Sequence, residues 1–179
     1  VSGNGSEAVV ENIEVNSGKV TSTYAASFNN HSYAGGLVGF ERSSVDTPAV
    51  AGLLNCTVKN TSVSALGTNL YSTAAGIAAA AQKIHNCNAG GVDVSSGLYA
   101  AGIVATASIA GATATSPVEV KNSSLIDGHG ATVVKTTANT TTAVVGGIFA
   151  MVDKPVQLIL ENNDLGNDVA LNATRGCAG

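Results

Sequence analysis

The chain offers few side chains that could do chemistry, and their spacing limits what they could do together. Its three histidines, His31, His85 and His129, include no pair with metal-ligand spacing. Acid and base hydrolysis needs two carboxylates at a set separation. We expect no repeat to bring two of the aspartates together, which are Asp46, Asp93, Asp127, Asp153, Asp164 and Asp168. The sequence therefore predicts no catalytic residue, no metal ligand and no cofactor, and we interpret residues 127–130 as a turn.

The three cysteines lack the C-x-x-C spacing of metal or redox sites. Cys56 and Cys87 each follow an asparagine in neighbouring copies of a repeat, so stacked copies would place them about 4.8 Å apart. They could form a disulfide or could be small core residues, and both alternatives remain open. Cys177 has no sequence partner and is a candidate for an intermolecular thiol.

The elements that position these side chains are indicated by a six-residue pattern, which occurs five times. It consists of an aliphatic residue, a spacer, Asn, two spacers and a small or aliphatic residue. The asparagines lie 43, 31, 36 and 40 residues apart, in the range of solenoid repeats. We expect them to stack in an internal column, joined amide to amide, because Asn tolerates the left-handed backbone of a sharp corner. They are Asn12, Asn55, Asn86, Asn122 and Asn162.

A second pattern, rich in Gly and Ala, follows each of the first four copies. Its members share a small residue, then a glycine, then Leu or Ile; the glycines are Gly36, Gly76, Gly102 and Gly147. The distance from Asn to Gly varies, which is typical of loops between strands. Glycine at these positions would allow neighbouring strands to approach closely.

Together the two patterns predict an all-β fold, a right-handed parallel β-helix of about four to five coils, as a single domain over residues 1–179. We place the coil boundaries near residues 46, 82, 115 and 154 and expect almost no α-helix. Residues 74–84 have high helix propensity, but the equivalent segments are poor helix formers, so the repeat outweighs local propensity. A β-sandwich with Ala-rich strands is the main alternative.

The amino-acid composition of the chain excludes some classes of partner. The formal net charge is −4 with only 8 Lys and Arg, and these form no run, so nucleic acid is not an expected partner. The longest stretch of low polarity, residues 98–114, is too short and too interrupted to span a membrane. Seven N-x-[ST] acceptors indicate either a secreted glycoprotein or a preference for Asn, Ser and Thr on solenoid turns. We expect sugar at loop sites such as Asn30, Asn139 and Asn172, and none at Asn55 and Asn122 inside the column.

The glycine segments AGGLVG, AAGIAA, AAGIVA and VGGIFA resemble the GLUG motif, a Gly-Leu-any-Gly repeat of large secreted and surface-attached proteins that include filamentous-haemagglutinin-like adhesins and some cell-surface peptidases. Only residues 36–39 match the motif literally. The resemblance implies a β-solenoid at the cell surface and carries no catalytic residues. Residues 128–130 also resemble the Gly-His-Gly motif of polygalacturonases, but the Asn-Thr-Asp, Asp-Asp and Arg-x-Lys motifs of those enzymes are absent.

We therefore predict a structural or interaction protein, not an enzyme, outside the cell or at its surface: a filament subunit, stalk or adhesin segment. Neither end resembles a cap and charges are few, so we expect self-association end to end. The alternative is a carbohydrate-binding or carbohydrate-cleaving β-helix with a host or surface glycan as partner. Sugar sites usually stack the ring on aromatic side chains, whereas Tyr33 and Tyr99 share a repeat position and are interpreted as architectural.

Overall fold

A computed structural model describes residues 9–24, 32–40, 52–67, 72–106, 117–152 and 157–179. The chain runs through the same succession of strands five times, and each round is called a pass. The first two passes consist of β1 (Val9–Glu11), β2 (Glu14–Tyr24), β3 (Ser32–Gly35) and β4 (Val38–Phe40), then β5 (Gly52–Leu54), β6 (Thr57–Gly67), β7 (Ser72–Ala75) and β8 (Ala78–Ala80). The third consists of β9 (Lys83–His85), β10 (Asn88–Gly90), β11 (Asp93–Ser96), β12 (Tyr99–Ala101) and β13 (Val104–Thr106). The fourth consists of β14 (Val118–Lys121), β15 (Ser124–Leu125), β16 (Thr132–Thr136), β17 (Ala143–Gly146) and β18 (Phe149–Met151), and the fifth of β19 (Leu158–Glu161), β20 (Asp164–Leu165), β21 (Val169–Ala173) and β22 (Gly176–Ala178).

Equivalent strands of successive passes pair in four sheets. The first sheet has the order β1-β5-β9-β14-β19, the third β22-β17-β12-β7-β3 and the fourth β18-β13-β8-β4. In the second, β2 pairs with β6, and β6 continues in two branches, β10-β15-β20 and β11-β16-β21. Every recorded pairing among the described strands is parallel. A β-sandwich is built from antiparallel pairs, so that alternative is wrong.

The all-β prediction is confirmed, since no described residue is helical. Residues 74–84, which have high helix propensity, form β7, β8 and the beginning of β9. The boundary predicted near residue 82 lies between β8 and β9. Those near 46, 115 and 154 lie outside the described residues, each in the interval between two passes. None of the described segments forms a helix of the length and apolarity that crossing a membrane requires.

Residues at equivalent positions in successive passes form columns, and inward columns make the core. One consists of Val10, Leu53, Ile84, Val120 and Leu160. The largest fully buried side chains, among them Ile77, Ile84, Ile103 and Leu125, belong to the second, third and fourth passes. The core is therefore most completely buried in the middle of the stack.

The glycine column lies against this core, and its glycines are required by space. A Cβ atom on Gly76 would strike the carbonyl oxygen of Gly102, and one on Gly102 would strike that of Gly147. The Gly102 Cβ would also come within 2.6 Å of both Leu125 methyl carbons. None of the four glycines has a positive φ, so the cause is the close approach of neighbouring passes, as expected. Because Val58, Ala89 and Leu125 end copies of the Asn pattern and contact these glycines, the two sequence patterns meet across the core.

Candidate functional site

The asparagines of the six-residue pattern form one corner of every pass. All five have a left-handed backbone, with φ between 51° and 56°. Their backbone N–H groups step along the stack, because Asn12 donates to the Leu54 carbonyl and Asn86 to that of Lys121, both at 3.0 Å. The side chains form a ladder in which Asn55 donates to Asn12 at 3.4 Å, Asn86 to Asn55 at 3.1 Å and Asn162 to Asn122 at 3.3 Å. Side-chain hydrogen bonds therefore join Asn12, Asn55 and Asn86 in one group and Asn122 and Asn162 in another.

The prediction that this column is internal is wrong. All five asparagines are exposed. A left-handed residue at a convex corner directs its side chain away from the core, so the amides satisfy one another on the surface. Crowding inside a coil is therefore no reason to exclude sugar from Asn55 and Asn122. Of the other acceptors, Asn139 and Asn172 are exposed, whereas Asn30 lies outside the described residues.

Two substitutions of Asn86 separate the contribution of the left-handed backbone to the free energy of unfolding from the contribution of the amide hydrogen bonds. We expect Asn86→Leu to lower the free energy of unfolding by about 1–3 kcal/mol, since it strains the left-handed corner and removes an amide link. Asn86→Gly keeps the backbone conformation and removes only the amide, so it should cost less than about 1.5 kcal/mol. Urea unfolding measures both. Equal losses in the two variants would contradict the backbone explanation.

A second column lies directly after the asparagines and contains Cys56, Cys87, Ser123 and Asn163; the sequence argument placed the two cysteines in it but missed its hydrogen bonds. Three of its side chains each receive a hydrogen bond from the backbone of the preceding pass. The N–H of Cys56 donates to Cys87 Sγ at 3.4 Å, that of Cys87 to Ser123 Oγ at 3.1 Å, and that of Ser123 to Asn163 Oδ1 at 2.9 Å. The signal that could have revealed these hydrogen bonds is the series of small or polar residues after Asn55, Asn86, Asn122 and Asn162.

Cys56 and Cys87 are free thiols, so the core-residue alternative describes them and the disulfide alternative does not. Cys56 Sγ donates to the Leu54 carbonyl at 3.2 Å and Cys87 Sγ to the His85 carbonyl at 3.3 Å, so both side chains have the same orientation. Burial raises the pKa of the Cys87 thiol from 9.0 to about 12, which keeps it protonated at neutral pH.

Thiol labelling should distinguish the three cysteines. Cys177 is an exposed free thiol on β22, and its role as an intermolecular link stays a prediction. We expect an aromatic disulfide reagent at about pH 8 to label one thiol per folded chain, at Cys177, and all three after denaturation. Because the folded-state pKa of Cys87 is raised, its contribution to stability is present below pH 9 and is lost as the pH rises toward about 12. Fast labelling of Cys87 in the folded chain would contradict this arrangement.

Residues 127–130 form a bend between β15 and β16, as expected for a turn. Asp127 and Asp168 are in contact here, but through the backbone of Asp168 and not as a pair of carboxylates. Asp127 Oδ1 accepts the N–H of Asp168 at 3.2 Å, and its Oδ2 accepts the Asn167 amide at 2.9 Å. Hydrogen bonds from the backbones of Asn167 and Asp168 and from the Asn167 side chain lower the pKa of Asp127. The carboxylate therefore holds the corner of the next pass, and its stabilising effect is lost as the pH falls through its folded-state pKa.

Several other charged side chains pair across passes. His85 Nε2 lies 2.9 Å from Glu119, and Lys135 Nζ lies 2.8 Å from Asp93. Among the described residues, no group of three His, Cys, Asp or Glu side chains could hold a metal ion. Asp46, Asp153 and His31 lie outside the described residues. Tyr33 and Tyr99 share one column, separated by Thr73.

Among the described residues, the first and fifth passes leave large apolar side chains exposed. Exposed large apolar side chains include Val9 (44%) and Ile13 (43%) on the first pass and Leu160 (50%) and Leu165 (46%) on the fifth. Leu160 and Leu165 stand in inward columns whose fourth-pass members, Val120 and Leu125, are buried. The edges are therefore open ends of the core and form the candidate interaction surfaces.

Comparison with known proteins assigns no family. No protein-family model, no curated protein and no solved structure matches the chain.

Proposed function

We propose that the chain is a right-handed parallel β-helix that serves as a structural or interaction segment outside the cell or at its surface. The carrying observation is the stacking of five passes in register, with asparagine at the same corner of every pass. Parallel strands joined by crossover connections are overwhelmingly right-handed, which supports the assigned hand. The resemblance of the glycine column to GLUG segments supports a surface location, and the exposed acceptors Asn139 and Asn172 are compatible with secretion.

The interaction that this architecture supports is the addition of further β-coils at its open edges. A terminal pass presents strand N–H and C=O groups that an incoming strand can pair with, as in other cases of β-strand addition. The Asn162 N–H continues the series of corner donors, and its acceptor would have to come from a sixth pass. Nucleic acid is a poor alternative partner, because Lys59, Lys121 and Lys135 lie within 3.4 Å of acidic side chains.

Hydrogen exchange tests the stacked architecture. We expect amides of the third pass to exchange more slowly than those of the fifth, since stacked repeats are stabilised by both neighbours and fray at their ends. A circular dichroism spectrum with more than about 20% helix would contradict the fold.

A polysaccharide-binding screen tests the function. We expect no binding that depends on Tyr99, and we would compare the wild type with Tyr99→Ala and with Tyr99→Phe. Binding that survives in the phenylalanine variant and disappears in the alanine variant would favour the carbohydrate-binding alternative.

A further inference from the structure

Two columns on the outer surface begin and end with an acidic residue. Strand pairing places Glu11, Leu54, His85, Lys121 and Glu161 in one column. It places Glu14, Thr57, Asn88, Ser124 and Asp164 in the other. The columns flank the asparagine corner, and their acids lie on the first and fifth passes.

Within the chain these acids have cationic or neutral neighbours. Glu161 lies 3.4 Å from Lys121 Nζ, and Glu14 lies 3.1 Å from Lys59 Nζ. Glu11 is paired with Leu54, and Asp164 with Ser124. No strand pairing among the described residues sets one carboxylate directly opposite another. Like charges directly opposite on a sheet are destabilising, so this arrangement favours the stack.

The first pass of a second copy would match the fifth pass at the core positions, but it would bring like charges together in these two columns. If its first pass continued the register, Val10 would cover Leu160 and Val15 would cover Leu165. Asn12 would extend the amide ladder from Asn162. These contacts would bury apolar side chains that are exposed at both ends. The same register, however, would set Glu11 directly against Glu161 and Glu14 directly against Asp164, about 4.8 Å apart along the stack.

We propose that the fifth-pass edge is an interface for the first pass of a second copy, and that these two carboxylate pairs control it. They hold copies apart while the charges are unscreened, and they permit head-to-tail stacking once the charges are screened or compensated. Lys121 and Lys59 face Glu161 and Glu14 from inside each copy and reduce the repulsion in part. Lys19 of the incoming copy would lie over Ala170, beside Asp168, away from both carboxylate pairs. The proposal rests on the proposed role of the open edges.

A charge exchange that preserves both internal ion pairs tests the proposal. In the double variant Glu11→Lys with Asp164→Lys, opposite charges would meet in both columns. In the control, Glu14→Lys with Asp164→Lys, like charges remain in both columns, and the Glu14–Lys59 ion pair is lost. The two variants have equal net charge, and each retains Glu161 beside Lys121. Circular dichroism confirms that both fold, and the milder variants Glu161→Gln and Asp164→Asn should each weaken the repulsion on their own.

Sedimentation velocity between about 20 mM and 500 mM NaCl gives the readout, because ionic screening changes strongly over this range. We expect the charge-exchange variant to associate at low salt, with a dissociation constant at least about tenfold below that of the control, and its affinity to fall toward that of the wild type as salt rises. The wild type should be monomeric at low salt and associate as salt rises. Equal behaviour of the two double variants, or wild-type assembly at low salt, would overturn the carboxylate control and leave stacking intact. Absence of association in every variant and at every salt concentration would overturn the stacking role as well.

Discussion

Gly102→Ala should destabilise the protein by about 3–5 kcal/mol, near the upper limit for a single substitution. The added methyl group has no room, because it would strike the Gly147 carbonyl oxygen and would lie 2.6 Å from both terminal carbons of Leu125. Backbone cannot yield as a flexible side chain does, so the fourth pass would have to move away from the third. The strands on both sides of this position would then lose pairing. Urea unfolding with circular dichroism detection measures the loss.

Gly52→Ala is the matched control for this substitution. Gly52 is also a strand glycine without a positive φ, but its nearest neighbour to an added Cβ is Lys83 Cδ at 3.7 Å, an ordinary contact. We expect its free energy of unfolding to change by less than about 1 kcal/mol, since alanine costs less chain entropy than glycine. If Gly102→Ala is tolerated as well as Gly52→Ala, the close approach of the passes at the glycine column is not as described.

Leu125→Ala should cost about 2–5 kcal/mol, the range for deleting a buried leucine side chain. Leu125 is 1% exposed and packs against the glycine column from the inside. The passes on either side are locked in register by strand pairing, so they cannot close the cavity that the substitution leaves. The loss should appear as a lower midpoint of urea unfolding.

Leu165→Ala provides the comparison, because Leu165 occupies the next position of the same column. At 46% exposed it is already partly in water, so we expect less than half the loss measured at Leu125 in the monomer. Under conditions in which copies stack, the cost at Leu165 should rise toward that at Leu125. A full-sized loss at Leu165 in a demonstrated monomer would mean that the fifth-pass edge is covered.

Much of the fold could be predicted from sequence because its determinants repeat. Asn at each corner indicates a left-handed backbone, and all five corners have one. Gly102 and its equivalents indicate that neighbouring passes approach closely, and the short distances at the glycine column agree with this. Residue type alone did not give the direction of the asparagine side chains, since a left-handed corner can bend so that its side chain points either inward or outward. Whether the corner is convex depends on how the first two sheets meet, which the local sequence does not encode.

The candidate site was less predictable for a related reason. Asp127 and Asp168 lie in corners of different length. The repeat therefore does not align these residues, although they are in contact. Sequence spacing cannot show such contacts. The charges that oppose stacking were also missed, because Glu11 and Glu161 are 150 positions apart and become equivalent only when the strand register of every pass is known.

The corner that follows the asparagine corner has a consequence for how such a chain can change. It contains residues 91–92 in the third pass, 126–131 in the fourth and 166–168 in the fifth, yet the strands on both sides keep the same partners. The length of this corner can therefore change without a change in the pairing register of the strands on either side. Insertions here can present new surface chemistry while the columns beneath remain intact, and a loop such as 126–131 can be anchored afterwards by a single side chain, as Asp127 does on the next pass. The stack thus separates the part of the sequence that must be conserved for folding from a part that is free to diversify.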